Sequence, residues 1–109
     1  MNYSIIIDEE FNKEFKLLLK KFPSLKTDFK HLIENLEKEL SLADNLGNGF
    51  KKIRINIKSK GKGKSGGGRI ITYETVIAIN ETSITFLSIY NKGDFDTIDI
   101  NLLKKNLRL

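Results

Sequence analysis

The 109-residue chain has the length of one domain, since compact domains commonly contain roughly 100–150 residues. Hydrophobic residues make up 39% of the chain and charged residues 30%, a balance that argues against disorder and against a membrane-embedded protein. Cysteine is absent and His31 is the single histidine, which excludes disulfides and cysteine-ligated metal sites. We expect one globular domain, residues 1–109, with no metal or other cofactor.

The location of the positive charge is more informative than its total. The net charge is +5, yet the segment from Asn45 to Tyr73 holds eight Lys/Arg and no Asp/Glu, so the remainder sums to −3. One basic stretch in an otherwise acidic protein favours a polyanionic partner, with nucleic acid the usual candidate. The alternative is a solvated loop made basic for solubility.

No sequence feature predicts membrane insertion or export. No apolar run approaches the roughly 20 residues of a spanning helix, and Met1–Ile7 lacks the basic start of a signal peptide. We expect a cytoplasmic protein without membrane contact.

The first half of the chain predicts a strand followed by two helices. Tyr3–Ile7 is a β-branched run, and Asp8 is a suitable N-cap for the helix that follows it. Apolar residues then recur at helical spacing in two groups separated by Pro23. The first group is Phe11, Phe15, Leu18 and Phe22; the second is Leu25, Phe29, Leu32, Leu36 and Leu40, predicting a helix that ends near Ala43.

The second half predicts a sheet. Isoleucines from Ile53 to Ile57 alternate with polar residues, so one strand face is apolar and the other carries Lys52, Arg54 and Lys58. Lys60–Gly68 is too glycine-rich for regular structure, and strands are predicted at Arg69–Ile79 and Ser83–Asn91. Asp96 can cap a last helix with a stripe of Ile100, Leu103 and Leu107. The predicted α+β order is β-α-α-β-β-β-α, a helical hairpin on one face of a twisted, mainly antiparallel sheet.

The glycines of the basic loop do not predict a nucleotide site. Gly61, Gly63 and Gly66 match a dinucleotide fingerprint, but a strand follows them where that mechanism needs a helix N-terminus. Lysines 60, 62 and 64 alternate with small residues, so their ammonium groups can approach phosphates closely. His31 lies among apolar residues of the second helix, and a structural or solvent-facing position is expected for it.

The run from Phe50 to Tyr73 (FKKIRINIKSKGKGKSGGGRIITY), followed by Leu87–Lys92 (LSIYNK), resembles the HigB-like branch of the RelE/ParE toxin superfamily. The most specific part is GGGRII, Gly66–Ile71. The resemblance implies the toxin of a type II toxin–antitoxin pair, silenced by a co-expressed antitoxin of helix-turn-helix type, which cuts mRNA, usually on the ribosome. By position it implies RNA contacts by Lys52 and Arg54 and a catalytic role for Arg69 and Lys92.

Cleavage without a metal needs groups that deprotonate the ribose 2′-OH, neutralise the phosphate and protonate the leaving oxygen. Arg69 is suited to neutralise the charge of the phosphate, because a guanidinium can donate hydrogen bonds to two phosphate oxygens. Lys62 or Lys64 is the candidate base, and Tyr90 is the candidate acid. Lys92 adds a second positive charge that would bind the phosphate together with Arg69. Lys58 and Lys60 would help to hold the RNA. Two departures from the family pattern are Gly93 in place of a second cation and the lack of a tyrosine after Tyr90.

Three other interpretations stay open at this point. A ParE-type toxin shares the predicted fold and inhibits DNA gyrase instead of cutting RNA. A noncatalytic RNA-binding or ribosome-associated module would use the same charge for binding alone. A degenerate toxin would keep the fold without the cleavage.

Overall fold

A computed structural model describes residues 2–93 of the chain. The helices and strands follow the order β1 (Asn2–Ile7), α1 (Glu9–Lys21), α2 (Leu25–Glu34), α3 (Leu36–Leu42), β2 (Asp44–Gly47), β3 (Phe50–Ile55), α4 (Gly63–Gly66), β4 (Gly68–Ala78) and β5 (Glu81–Asn91), with a 3-10 turn at Lys58–Lys60. The strands form one sheet in the order β1-β5-β4-β3-β2. The β1–β5 pair is parallel and the other pairs are antiparallel.

The predicted α+β class is therefore confirmed, with helices packed on a mainly antiparallel sheet. None of the helices within residues 2–93 is both long and apolar enough to cross a membrane. The helix predicted after Asp96 lies outside these residues and stays a prediction.

Helix α1 begins where the sequence predicts. The Asp8 carboxylate accepts a hydrogen bond of 3.2 Å from the Glu10 N–H and so caps one of the open amides of the first turn. Phe11 is 2% exposed, and its ring contacts those of Phe29 and Phe86 at centroid distances of 5.5 and 5.6 Å. This aromatic cluster holds both α1 and α2 against the sheet.

The single second helix predicted from Leu25 to Ala43 is instead two helices. Asn35 separates them with φ −116° and ψ 28°, outside the helical region, and its N–H donates to the carbonyls of His31 and Leu32. The Asn35 side chain also donates to the His31 carbonyl at 2.9 Å. Asparagine competes with the helix by such local hydrogen bonds, which explains the break that the apolar spacing conceals.

The sheet has an apolar residue set on each face. The set on the helical side includes Ile53, Ile55 and Ile70, which are at most 3% exposed. The other side, here called the second face, carries a smaller cluster of Phe50, Ile71, Leu87 and Tyr90, flanked by Leu46 and Tyr73. Since Lys52, Arg54 and Arg69 alternate with the helix-side isoleucines, they belong to the second face.

A β-bulge in β5 decides which face its last residues occupy. Ile71 pairs with Ser88 and Thr72 pairs with Phe86, so Leu87 is an extra residue opposite β4. Before the bulge the even-numbered residue Phe86 belongs to the helix-side core, and after it the odd-numbered Ile89 does. The bulge thereby moves Tyr90 to the second face.

Glu14 of α1 supports this bulge from the helical side. Its carboxylate accepts hydrogen bonds from the Ser88 hydroxyl at 3.0 Å and from the Ile89 N–H at 3.4 Å. Burial raises the pKa of Glu14 above its ordinary value of 4.5, and the hydrogen bonds from Ser88 and Ile89 offset part of that rise. The Glu14 carboxyl therefore holds its proton more tightly in the folded protein than in the unfolded chain.

We expect the raised pKa of Glu14 to make the free energy of unfolding depend on pH. Because the pKa of Glu14 is higher in the folded than in the unfolded chain, its contribution is fully present below the unfolded pKa and is lost as the pH rises through the folded pKa. The free energy of unfolding of the wild type, relative to Glu14→Gln, should fall across that window. Urea denaturation from pH 4 upward measures the difference, and Glu34→Gln, at an exposed position of α2, is the control. A pH-independent difference would contradict the expectation.

Candidate nucleic-acid interface

Three site residues predicted from separate parts of the chain lie side by side on the second face. Arg54 of β3 pairs with Arg69 of β4, and Arg69 pairs with Tyr90 of β5. Directly opposed residues have Cβ atoms roughly 4.5–5.5 Å apart, so these three form one row across the sheet. The structure thus brings together Arg54, Arg69 and Tyr90.

This row lies in a concave site of about 260 Å³ that we call the basic cleft. Its lining residues are Asp44, Lys52, Arg54, Arg69, Tyr90, Lys92 and Gly93. Among these residues four are cations and one is a carboxylate, Asp44, which lies 3.9 Å from the guanidinium of Arg54. Like charges opposed on neighbouring strands repel each other. The cleft therefore attracts anions, and a phosphodiester chain supplies them at regular intervals.

Arg69 is the buried cation of the cleft, with 8% of its surface exposed. Its Nη1 donates to the carbonyls of Lys64 at 3.0 Å and Gly68 at 2.9 Å, and its Nη2 donates to the Ser65 carbonyl at 2.9 Å. These bonds fold the loop around the guanidinium while Arg69 still lines the cleft. The residue has a structural function whatever its part in catalysis.

Tyr90 is 4% exposed and lines the cleft beside Arg69. Burial raises the pKa of the Tyr90 phenol above its ordinary value of 10.0, and the charge of Arg69 opposes that rise. A phenol with a raised pKa stays protonated at neutral pH. Tyr90 can therefore act as a proton donor but not as a base, and the raised pKa makes it a weaker acid than an unperturbed phenol.

The glycine-rich loop has more structure than the sequence predicts. Lys58 opens a 3-10 turn instead of extending the strand face of Lys52 and Arg54, because β3 ends at Ile55. Residues 63–66 form the short helix α4. Paired serines tie the turn to the N-terminus of α2: the Ser24 N–H donates to the Ser59 hydroxyl at 2.9 Å, and the Ser59 N–H donates to the Ser24 hydroxyl at 2.8 Å.

None of the loop lysines predicted to contact RNA or to act in catalysis, Lys60, Lys62 and Lys64, lines the cleft. Lys60 donates to the Gly67 carbonyl at 3.1 Å and to the Asn91 side chain, and its ammonium lies 5.7 Å from the centre of the Phe22 ring. Lys64 donates to both carboxylate oxygens of Glu39, at 2.9 and 3.0 Å. Lys62 is exposed on the loop. Lys60 and Lys64 therefore hold the loop to the rest of the fold, and Lys52 and Lys92 are the lysines that line the cleft.

Sequence reasoning missed two residues of this region. Asp44 is the carboxylate of the cleft, and no motif distinguishes it from the other exposed acids of the chain. Gly67 approaches β3 so closely that a Cβ atom there would lie 2.1 Å from the Ile55 carbonyl oxygen. The run of three glycines was the available signal for such a close approach.

Within the part of the chain that the structure describes, no group of three His, Asp or Glu residues is placed to hold a metal ion.

Comparisons with known proteins do not place the chain in a family. No family model matches it, and no curated protein gives a significant match. Its activity must therefore be inferred from the chemistry of the basic cleft.

Gly67→Ala should destabilise the protein and disorder the cleft. The added Cβ meets backbone atoms of β3, which cannot move aside without shifting the strand, and overpacking of this kind costs about 1–3 kcal/mol. Gly61→Ala is the matched control: its Cβ enters open space, so only the strain of its positive φ of 68° remains. Urea denaturation with amide exchange of residues 63–69 measures both. Equal destabilisation by the two substitutions would contradict the importance of the Gly67 contact.

Proposed function

We propose that the protein is an endoribonuclease that cuts mRNA without a metal ion, and that it is the toxin of a toxin–antitoxin pair. The observation that carries the proposal is the basic cleft, in which Arg54, Arg69 and Tyr90 form one row beside Lys52 and Lys92. The resemblance to the HigB-like branch named four of these positions from sequence, Lys52, Arg54, Arg69 and Lys92, and the chemistry of cleavage added Tyr90. The resemblance also supplies the helix-turn-helix antitoxin, the ribosome and the cytoplasm as parts of the proposal.

The chemistry of the cleft suits attack of a ribose 2′-OH on the adjacent phosphate. The new P–O bond forms as the P–O5′ bond breaks, giving a 2′,3′-cyclic phosphate and a 5′-hydroxyl end. Arg54, with more than half of its side chain exposed, is placed to bind the phosphate, and Arg69 adds a fixed positive charge beside it. The unprotonated amine of Lys52 or Lys92 accepts the 2′-OH proton, and Tyr90 donates one to the departing 5′ oxygen.

This assignment moves the candidate base from the loop to the cleft. Lys64 borders the helical layer and is paired with Glu39, whereas Lys52 and Lys92 line the cavity with Arg69. A proton acceptor must lie within hydrogen-bonding reach of the hydroxyl that it deprotonates. The loop lysines then act on catalysis through the position of the loop.

Tyr90→Phe should lower the rate of RNA cleavage by about 100-fold, the lower end of what a general acid contributes. The substitution keeps the buried ring and removes the proton donor. Since the pKa of Tyr90 is raised above 10.0, the part of the rate that depends on it should persist through pH 9 and be lost only as the pH rises further. Cleavage of a defined mRNA, with 5′-hydroxyl ends mapped, measures the rate; Tyr3→Phe, on the edge strand β1, is the control. A rate unchanged in Tyr90→Phe would contradict the role.

A second experiment, in cells, separates RNA cleavage from gyrase inhibition. After induction of the chain, fragmented mRNA with unchanged DNA supercoiling supports the ribonuclease. Intact mRNA with altered supercoiling supports the ParE-type activity and overturns the proposal.

A second candidate function is RNA binding without cleavage. It is favoured by one observation: the guanidinium of Arg69 already donates to three backbone carbonyls, which is how a structural arginine behaves. On this hypothesis Arg54, Lys52 and Lys92 bind phosphates and the RNA stays intact.

Salt dependence tests the RNA contact that both candidates share. Lys52→Ala should weaken binding of single-stranded RNA and lower the slope of log K against log salt by about 0.7, the contribution of one phosphate contact. Lys26→Ala, at an exposed position of α2, should leave the slope unchanged. Fluorescence anisotropy at several salt concentrations gives both slopes. Equal slopes for Lys52→Ala and the wild type would contradict the proposal that the cleft contacts RNA phosphates.

A further inference from the structure

A second concavity lies between the helical layer and the end of β3, and we call it the side pocket. Its volume is about 150 Å³. The lining residues that concern its chemistry are His31, Asn35, Glu39, Arg54, Asn56 and Lys58. The sequence assigned none of the polar side chains of helices α2 and α3 to a binding site.

Arg54 connects this pocket to the basic cleft, because it borders both. The reason is that the pairing between β2 and β3 is short. It ends where Asp44 pairs with Lys52, and among the described residues no strand pairs with the β2 side of β3 after Lys52. Arg54 and Asn56 therefore lie at an open edge of the sheet. A flexible chain seated in the cleft can pass over this edge into the side pocket.

The lining of the side pocket combines apolar surface with amides. Leu32 and Ile55, which are 5% and 3% exposed, contribute the apolar part. Asn35 and Asn56 contribute carboxamides, and His31 contributes an exposed imidazole. RNA-binding proteins use the same combination for an unstacked base, with a flat ring or apolar contact on its face and hydrogen bonds on its edge.

The two carboxylates of the pocket are already occupied by partners. Glu39 accepts both of its hydrogen bonds from the Lys64 ammonium, and Asp28 accepts from the Ser24 hydroxyl at 2.7 Å and from the Lys58 N–H at 3.1 Å. Lys64 therefore compensates the charge of Glu39, and two hydrogen bonds stabilise the carboxylate of Asp28. With Arg54, Lys58 and Lys64 also lining it, the pocket does not repel a phosphate backbone.

We infer that the side pocket binds one nucleobase of the RNA, from a nucleotide beyond the two that are joined by the phosphodiester in the basic cleft. A volume of about 150 Å³ is that of a cavity that admits a single benzene-sized ring. Asn56, at the open edge, and His31, on α2, contact the base, and the pocket contributes to the sequence preference of the protein. This inference rests on the proposed function, since it assumes that RNA occupies the cleft.

The test is the binding of two RNAs of different length to the full chain. Mixed-sequence RNAs of two and of four nucleotides, with 2′-O-methyl riboses to prevent cleavage, are titrated by fluorescence anisotropy. His31→Ala and Asn56→Ala should each weaken binding of the tetranucleotide by about tenfold, a stacking or hydrogen-bonding contribution of ordinary size. They should leave the dinucleotide unchanged. Asn12→Ala, at an exposed position of α1, is the matched control and should bind both like the wild type.

His31 also provides a readout that does not depend on a variant. It is the only histidine of the chain, so its imidazole signals are unique in the proton spectrum. These signals should shift when the tetranucleotide is added and stay in place with the dinucleotide.

The possible failures are distinguishable. Suppose that both variants bind the tetranucleotide as well as the wild type does and the His31 signals do not move. The inference that the side pocket binds a nucleobase is then overturned, and the proposal that the cleft binds RNA is not. If the variants weaken both RNAs equally, the pocket is not a separate subsite and the inference is also overturned. If the wild type binds neither RNA, the proposed function fails and the inference fails with it.

Discussion

The close approach of Gly67 to the end of β3 is the constraint on which the basic cleft depends. A side chain there would overlap the Ile55 carbonyl, so the chain can enter β4 beside the end of β3 only if the residue before the strand is glycine. The Gly67 carbonyl in turn accepts hydrogen bonds from the Lys92 N–H at 3.0 Å and from the Lys60 ammonium at 3.1 Å. One residue thus joins β3, the turn before the loop and the end of β5.

The arrangement of charge in the cleft opposes folding and favours binding. Arg54 and Arg69 are cross-strand neighbours, although opposed like charges destabilise a sheet. The fold reduces the conflict by giving the buried arginine three carbonyl partners and the exposed one a carboxylate, Asp44. An anionic ligand would relieve the repulsion further, which is the physical argument for a phosphate between these strands.

The lysines of the loop have different functions that their spacing does not reveal. Lys60 and Lys64 are equivalent in sequence, each flanked by small residues, yet one is tied to Gly67 and Asn91 and the other to Glu39. These partners lie 7 to 31 residues away. A loop that the sequence predicts to be irregular is consequently anchored on both sides, to the helical layer and to β5.

The sequence by itself determined the α+β class, the capped first helix and the cationic face of β3, because those depend on local propensity and on the period of apolar residues. The motif also named Lys52, Arg54, Arg69 and Lys92, and the need for a proton donor added Tyr90. Only the tertiary structure placed them in one cleft. The bulge at Leu87 turns Tyr90 to the second face, and the end of β2 leaves Arg54 at an open edge. Both depend on which residues pair across strands, and pairing between distant segments leaves no periodic signal in the chain.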